Sequence, residues 1–471
     1  MRYLRRSAQR PARLALVLAL ALAIPAAAQQ LTPVERARID SAALAVLSGT
    51  GAPSASIAVV RGGQVVYEHA YGDARPGTPA TPAMRYAIGS VSKQFTAAAV
   101  LLLAEEKKLS LDDKVSRWFP DLTRAGEVTV RQLLSMTSGY QDYWPHDYVF
   151  TAMQSPATAE AIMQRWVRQA LDFDPGTAWQ YSNTNYVIAG AIVEKAAGMP
   201  FMDFLRQRIF TPLGMTTVAD FNAGPLSAAD AGAWLRNGLG PLRDAPKEGR
   251  GWLFGAGQLA MTARDLATWS IAMIDRAVLA PASWQEQQRT VLLANGTGTG
   301  YGLGINVGTV GGRRRLSHGG AVSGYTTSSL VYPDDRAAIV VFTDIYPGAA
   351  GAPGQISSRI ASIIFAAADS TDAAAGALAR RVYDGLAKGT IDRGLLTPNA
   401  SAYFTPQVLA DYAASLGPLG APGEFNVGGS ALRGGLRIHS ARIRAGQVTM
   451  NATMMIAPDG KIEQYVVERA G

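Results

Sequence analysis

Met84-Arg85-Tyr86-Ala87-Ile88-Gly89-Ser90-Val91-Ser92-Lys93 runs into Gln94-Phe95-Thr96-Ala97-Ala98-Ala99-Val100-Leu101-Leu102-Leu103-Ala104, a stretch rich in strong helix formers. Ser90 therefore stands where a helix begins, a position that suits serine. It is the one serine of the chain with a lysine three residues on. Positions i and i+3 share a helical face, so the Lys93 amine is within reach of the Ser90 hydroxyl. A lysine in the first turn of an apolar helix is disfavoured as a cation, by the helix dipole and by burial. Both lower its pKa, and a lysine so adjusted can act as a base. A serine N-cap beside a surface lysine is the plain alternative, and these few residues alone do not exclude it.

The whole chain narrows the choice. Its 471 residues are 48% hydrophobic and 17% charged, enough for a large core. The formal charge of +8 includes Arg2, Arg5, Arg6, Arg10 and Arg13; without these five the balance is +3. No later basic run resembles a patch that tracks phosphates, so nucleic acid is not an expected partner. The same arginines precede an apolar run from Leu14 to Ile24 and then Pro25-Ala26-Ala27-Ala28. This is the pattern of a cleavable signal peptide, residues 1–28, cut after Ala28, and it predicts export to the periplasm or beyond. The apolar run is too short for a membrane anchor, and no later stretch is long and uncharged enough to span a bilayer. The chain has no cysteine, which removes disulfides, thiol nucleophiles and thiolate metal sites.

The order of patterns predicts an α+β fold. Thr32 to Leu47 reads as an amphipathic helix with Val34, Ile39, Leu44 and Leu47 as its apolar members. Ser56 to Arg61 and Gln64 to Tyr71 read as a hairpin joined at Gly62-Gly63. From about 96 to 280 the patterns are mainly helical: a helix ending at Leu109 to Asp113, then Thr129 to Met136, Asn185 to Ala197, Phe201 to Phe210 and Thr262 to Ile274. Strands return at Tyr301 to Val307, Arg314 to Ser317, Tyr325 to Tyr332 and Ala337 to Thr343, and a helix from Gln355 to Ala366 follows. The expected architecture is an antiparallel sheet with flanking helices, an α/β sandwich over residues 29–366, with the helical subdomain inserted mid-chain. Residues 367–376 read as a linker and 377–471 as a small α+β domain, with helices at 377–388 and 406–416 and strands at 435–444, 447–457 and 461–469.

Two more stretches complete a chemical set. Tyr181-Ser182-Asn183 opens a helix, and Leu316-Ser317-His318-Gly319-Gly320-Ala321 is expected to end a strand at glycines that let backbone N–H groups approach a ligand. Acyl transfer requires an oxygen nucleophile, a proton acceptor and N–H donors for the oxyanion. Ser90-x-x-Lys93, Tyr181-x-Asn183 and His318-Gly319-Gly320, in this order, resemble the serine beta-lactamase and penicillin-binding-protein superfamily. The likeness is greatest to its class C-like branch, which holds DD-carboxypeptidases, D-aminopeptidases and family VIII carboxylesterases. Val130 to Gly139, Pro175-Gly176-Thr177, Pro212-Leu213-Gly214-Met215 and Tyr301-Gly302-Leu303-Gly304 extend the likeness over residues 31–365.

The resemblance implies that Ser90 forms an acyl-enzyme and that Lys93 and Tyr181 share the proton transfers. It implies that Asn183 bonds Lys93 or the substrate, and that the N–H groups of Ser90 and Ala321 form the oxyanion hole. It implies neither metal nor cofactor. The third motif departs from the Lys-Thr/Ser-Gly usual in beta-lactamases, because His318 and Gly319 replace the cation and the hydroxyl. A neutral imidazole is a weak anchor for a carboxylate near pH 7. The expectation is therefore a secreted carboxylesterase or peptidase/amidase acting on a small ester or peptide. A DD-peptidase or beta-lactamase, and a catalytically inactive binder of cell-wall or lipid-like ligands, are the alternatives. No Gly-x-Ser-x-Gly elbow, His-Glu-x-x-His or Walker A motif occurs. His69, His146 and His439 read as scattered structural residues, and Tyr140, Tyr143, Trp144, Trp179 and Trp252 as core or cleft aromatics. Oligomeric state is not legible.

Overall fold

The computed structural model describes residues 30–366 and 370–470, so the expected signal peptide lies outside the described residues. Helix α1 (Pro33–Thr50) starts on a capping box between Thr32 and Glu35 and stops at Gly51, whose φ is 69°. Its buried face is Ile39, Ala43, Val46 and Leu47. Val34 and Leu44, expected among the apolar contacts, are 67% and 54% exposed. The 39/43/46/47 spacing is a helical stripe, and those two residues fall off it.

Strands β1 (Ser54–Arg61) and β2 (Gln64–Arg75) form the expected hairpin, with Gly62 and Gly63 at φ 63° and 78° in the turn. Helices α2 (Lys93–Glu105), α3 (Asn183–Ala197) and α4 (Ala263–Asp275) follow, then strands β3 (Asn306–Val310), β4 (Arg313–Val322), β5 (Tyr325–Tyr332) and β6 (Ala337–Thr343) and helix α5 (Ala352–Ala366). The sheet runs β2-β1-β6-β5-β4-β3, antiparallel throughout, with the two-residue strand Thr78–Pro79 outside β2. Pairing of β1 with β6 (Ala55 opposite Thr343) joins the two ends of the sequence around the inserted region. Both strands are buried on both faces, and their side chains alternate. Ile57, Val59, Ile339 and Val341 pack under α1 and α5, whereas Ala58, Val60, Val340 and Phe342 join the core of the inserted region.

Several boundaries differ from the sequence reading. Helix α2 ends at Glu105, and residues 109–113 form a turn in which Asp113 accepts the Ser110 N–H. The helix read at 129–136 is the short turn Val130–Leu134, capped by Thr129. The 201–213 segment carries an internal π turn (Arg206–Phe210), tolerates Pro212 in its last turn and stops at Gly214. The inserted region also contains short strands, Ala219–Asp220, Trp234–Arg236, Leu242–Asp244 and Leu259–Met261. Residues 302–305 loop back, with Gly302 N–H on the Ile305 carbonyl, so the strand read from Tyr301 begins at Asn306.

Strand β4 corrects the reading that matters most. It does not end at its glycines but continues through Gly319 and Gly320 to Val322, because β5 pairs with it along that length (Gly319 opposite Ser328, Gly320 opposite Thr327). Pairing with β3 ends at Ser317.

The C-terminal residues form a sheet of four antiparallel strands, β7 (Glu424–Arg433), β8 (Leu436–Ala445), β9 (Val448–Ile456) and β10 (Ile462–Arg469), in sequence order. Helices α6 (Ser370–Leu386) and α7 (Pro406–Leu416) accompany it. Its core draws on Tyr383, Leu386, Ile443, Met450, Met454 and Tyr465. Helix α6 begins inside the stretch read as a linker, and β7 was not anticipated.

Candidate active site

Ser90 sits in a 3₁₀ turn, Gly89–Ser92, that feeds directly into α2. The turn is held from below: Ser92 Oγ accepts the Leu259 N–H at 3.1 Å, and Thr96 donates to the Gly255 carbonyl at 2.6 Å. From the other side β4 approaches backbone to backbone. A Cβ on Gly320 would lie 1.9 Å from the Ile88 carbonyl oxygen, and one on Gly89, whose φ is 50°, would lie 2.7 Å from the Ala321 nitrogen. Only glycine permits that approach. It brings Ser90 and Ala321 to the wall of one cavity.

Lys93 has no solvent exposure. Its Nζ lies 2.9 Å from Ser90 Oγ, 2.8 Å from Asn183 Oδ1 and 2.8 Å from the Ala256 carbonyl oxygen. Burial lowers its pKa to about 7, against a smaller opposing pull from Asp142. The two carbonyl oxygens can only accept hydrogen bonds. A neutral amine therefore spends its two N–H bonds on them, and its lone pair is left facing Ser90.

Asn183, the first residue of α3, is itself oriented. Asp142 accepts its backbone N–H at 2.9 Å and its side-chain amide at 3.3 Å, which turns Oδ1 toward Lys93. Asp142 is mostly buried, and that burial raises its pKa. Tyr181 is partly buried at the same corner, with Lys93 Nζ 5.0 Å from its ring centre. Burial holds its pKa well above the usual phenol value, so it is a neutral phenol near pH 7.

His318 is 5% exposed, and both its nitrogens are engaged. Nδ1 lies 2.6 Å from the Gly319 carbonyl oxygen, which fixes the proton there, and Nε2 accepts from the Tyr301 hydroxyl at 2.9 Å. Burial, reinforced by Lys93, lowers its pKa to about 4, so the ring is neutral. His318, Gly319 and Gly320 are not among the residues that line the cavity. The histidine props β4, and the glycines let it come close.

The cavity, about 360 Å³, is walled by Ser90, Tyr181, Asn183 and Ala321 together with residues the sequence reading did not single out as site residues: Asp142, Asp147 and Tyr346. His146, read as an ordinary structural histidine, also lines it, stacked on Tyr148 at 5.4 Å. Of the candidate aromatics, Tyr143 and Trp144 line the cavity, Tyr140 and Trp252 belong to the core, and Trp179 is exposed beside Tyr301. Their proximity arises from long-range folding, for which local spacing carries no signal. Among the described residues, no group of three or more His, Cys, Asp or Glu is placed to hold a metal ion, and no helix is long and apolar enough to cross a membrane.

A serine at a helix start, an amine of lowered pKa within hydrogen-bond reach of it and this antiparallel sheet define the beta-lactamase-like class. Comparison with known proteins agrees: residues 37–357 match the Beta-lactamase family, and the chain belongs to that family. The D-aminopeptidase of Brucella anthropi is 29% identical over 306 residues, 63% of this chain and 57% of that protein. The chain thus spans little more than half the length of that relative. Among solved structures, a D-stereospecific amidohydrolase from Streptomyces sp. is 25% identical with a TM-score of 0.60, covering 69% of this chain and 97% of its own. The octameric penicillin-binding protein homologue from Pyrococcus abyssi shares the fold, with a TM-score of 0.62 at 20% identity over 93% of this chain and 97% of its own.

Proposed function

We propose that the protein is an exported hydrolase of carboxylic esters or amides that works through an acyl-enzyme on Ser90 and does not require a carboxylate on its substrate. The observation that carries this reading is the Lys93 amine, buried at 2.9 Å from Ser90 Oγ between two carbonyl acceptors. In the proposed reaction, the Ser90 proton passes to the Lys93 lone pair while Oγ bonds to the carbonyl carbon. The oxyanion takes the N–H groups of Ser90 and Ala321. The bond to the alcohol or amine then breaks, and the leaving group receives its proton through Tyr181. Water repeats the sequence against the acyl group, releasing the acid and restoring Ser90. Lys93 is the base in this scheme because burial lowers its pKa and raises that of Tyr181.

The engaged, neutral His318 supports the exclusion of a carboxylate requirement, and with it an esterase or amidase over a penicillin-hydrolysing enzyme. The relatives named above support the amide side of the reading. Labelling with a fluorophosphonate followed by peptide mass spectrometry tests it. An adduct on Ser90, lost together with ester and anilide hydrolysis in Ser90→Ala, is the expected result. An unlabelled Ser90, or a Ser90→Ala variant as active as wild type, overturns it in favour of a binding protein. Export rests on residues 1–28, and N-terminal sequencing of secreted material should begin at Gln29.

A further inference from the structure

The charges around the cavity are one-sided. Its ionisable lining residues, other than tyrosines, are Asp142, His146 and Asp147, and none is Lys or Arg. Lys93, outside that lining, is buried with its Nζ engaged by Ser90, Asn183 and the Ala256 carbonyl. Asp142 is committed to Asn183 and to the Trp144 N–H. Asp147 is different. It is exposed at the cavity, and its Oδ1 accepts the Tyr346 hydroxyl at 2.9 Å from a residue 199 positions away in sequence. Tyr346 is itself fixed, its N–H on the Trp234 carbonyl and its carbonyl accepting the Gly324 N–H. A hydroxyl that holds one carboxylate oxygen orients the group and leaves the other oxygen for a ligand. Trp144 and Tyr346 add aromatic surface to the same cavity, which favours a cation over an anion.

We propose that Asp147, held by Tyr346, is the specificity-determining residue for a cationic substrate, so that this cavity selects an ester or amide whose acyl part carries a protonated amine. The inference rests on Ser90 being the nucleophile. A substrate carboxylate would face Asp147 and find no cation, whereas an ammonium finds a fixed carboxylate and aromatic walls.

The test uses the 4-nitrobenzyl ester of alanine, as both enantiomers, and the N-acetyl form of each. The readout is the ratio of kcat/KM for the free-amine ester to that for its N-acetyl counterpart, compared between wild type and Asp147→Asn. This comparison cancels the intrinsic reactivity of the two esters. The expected result is a fall in the ratio of tenfold or more for the better enantiomer. The fall should be smaller in Tyr346→Phe, and wild type should lose part of its preference in 0.5 M salt. An unchanged ratio in Asp147→Asn overturns the proposal, as does an equal loss on both esters. Those results leave acyl transfer standing if Ser90 is still labelled. A chain that hydrolyses neither ester and takes no label at Ser90 overturns both readings.

Discussion

Lys93 illustrates how one residue can be legible in sequence and yet acquire its chemistry elsewhere. Its spacing from Ser90 is local, so helical geometry alone brings the two together. Its lowered pKa has another origin: the surrounding core removes it from water, and the carbonyl oxygens of Asn183 and Ala256 take its N–H bonds. With a pKa of about 7, the amine is cationic and unable to accept a proton below that pH, and neutral above it. Acylation rate should therefore rise with pH along a limb centred near 7 and then level off, measured as kcat/KM on a neutral ester. Lys93→Arg keeps a permanent cation and should lose about 10²–10⁴ of that rate at every pH, the usual contribution of general acid–base catalysis. A flat profile through pH 6–8 would remove Lys93 from the role of base. Asp142, Asp147 and Tyr346 were not legible as site residues, because their contacts join residues 41 and 199 positions apart.

Among the elements, β4 has the most consequence for the site. Its glycines were visible as a place where backbone approaches something, but their sequence reads as the end of a strand. Pairing with β5 overrides that local signal and carries the strand on to Val322. The result is a backbone wall against the Ser90 turn, and its tightness is testable. Gly320→Ala would set a Cβ 1.9 Å from the Ile88 carbonyl, so β4 must shift outward. In the proposed reaction this separates the N–H groups of Ser90 and Ala321. The expected loss is about 10²–10³ in kcat, that of one oxyanion donor, in a chain whose far-ultraviolet circular dichroism is unchanged. Retained kcat would show that the β4 N–H does not serve the oxyanion. In α1 the lesson is milder. Hydrophobicity alone suggested Val34 and Leu44 as core contacts, but the stripe that packs on the sheet passes through Ala43 and Val46.

For the molecule as a whole, the decisive contact is β1 beside β6, which closes one sheet from residues near both ends of the family region. The buried apolar residues of the C-terminal sheet and its helices form a cluster of their own, from Ala375 to Tyr465. A chain shortened to end at Ala366 should therefore fold and take the fluorophosphonate label at Ser90, as read by mass spectrometry and a cooperative melt. Aggregation of that chain would show that the residues after Ala366 complete its core. The order of strands, helices and strands was legible because hydrophobic period distinguishes the two kinds of element along most of the chain. The fold class was legible from the sequence by itself, and Ser90, Lys93, Tyr181 and Asn183 stood out there as candidates, through hydrophobic period and recognisable motifs. Tertiary structure alone decided that Lys93 is dry, that His318 is a neutral prop, and that Asp147 and Tyr346 meet at the cavity. Burial and long-range contact set those properties, and neither is encoded in the spacing of neighbours along the chain.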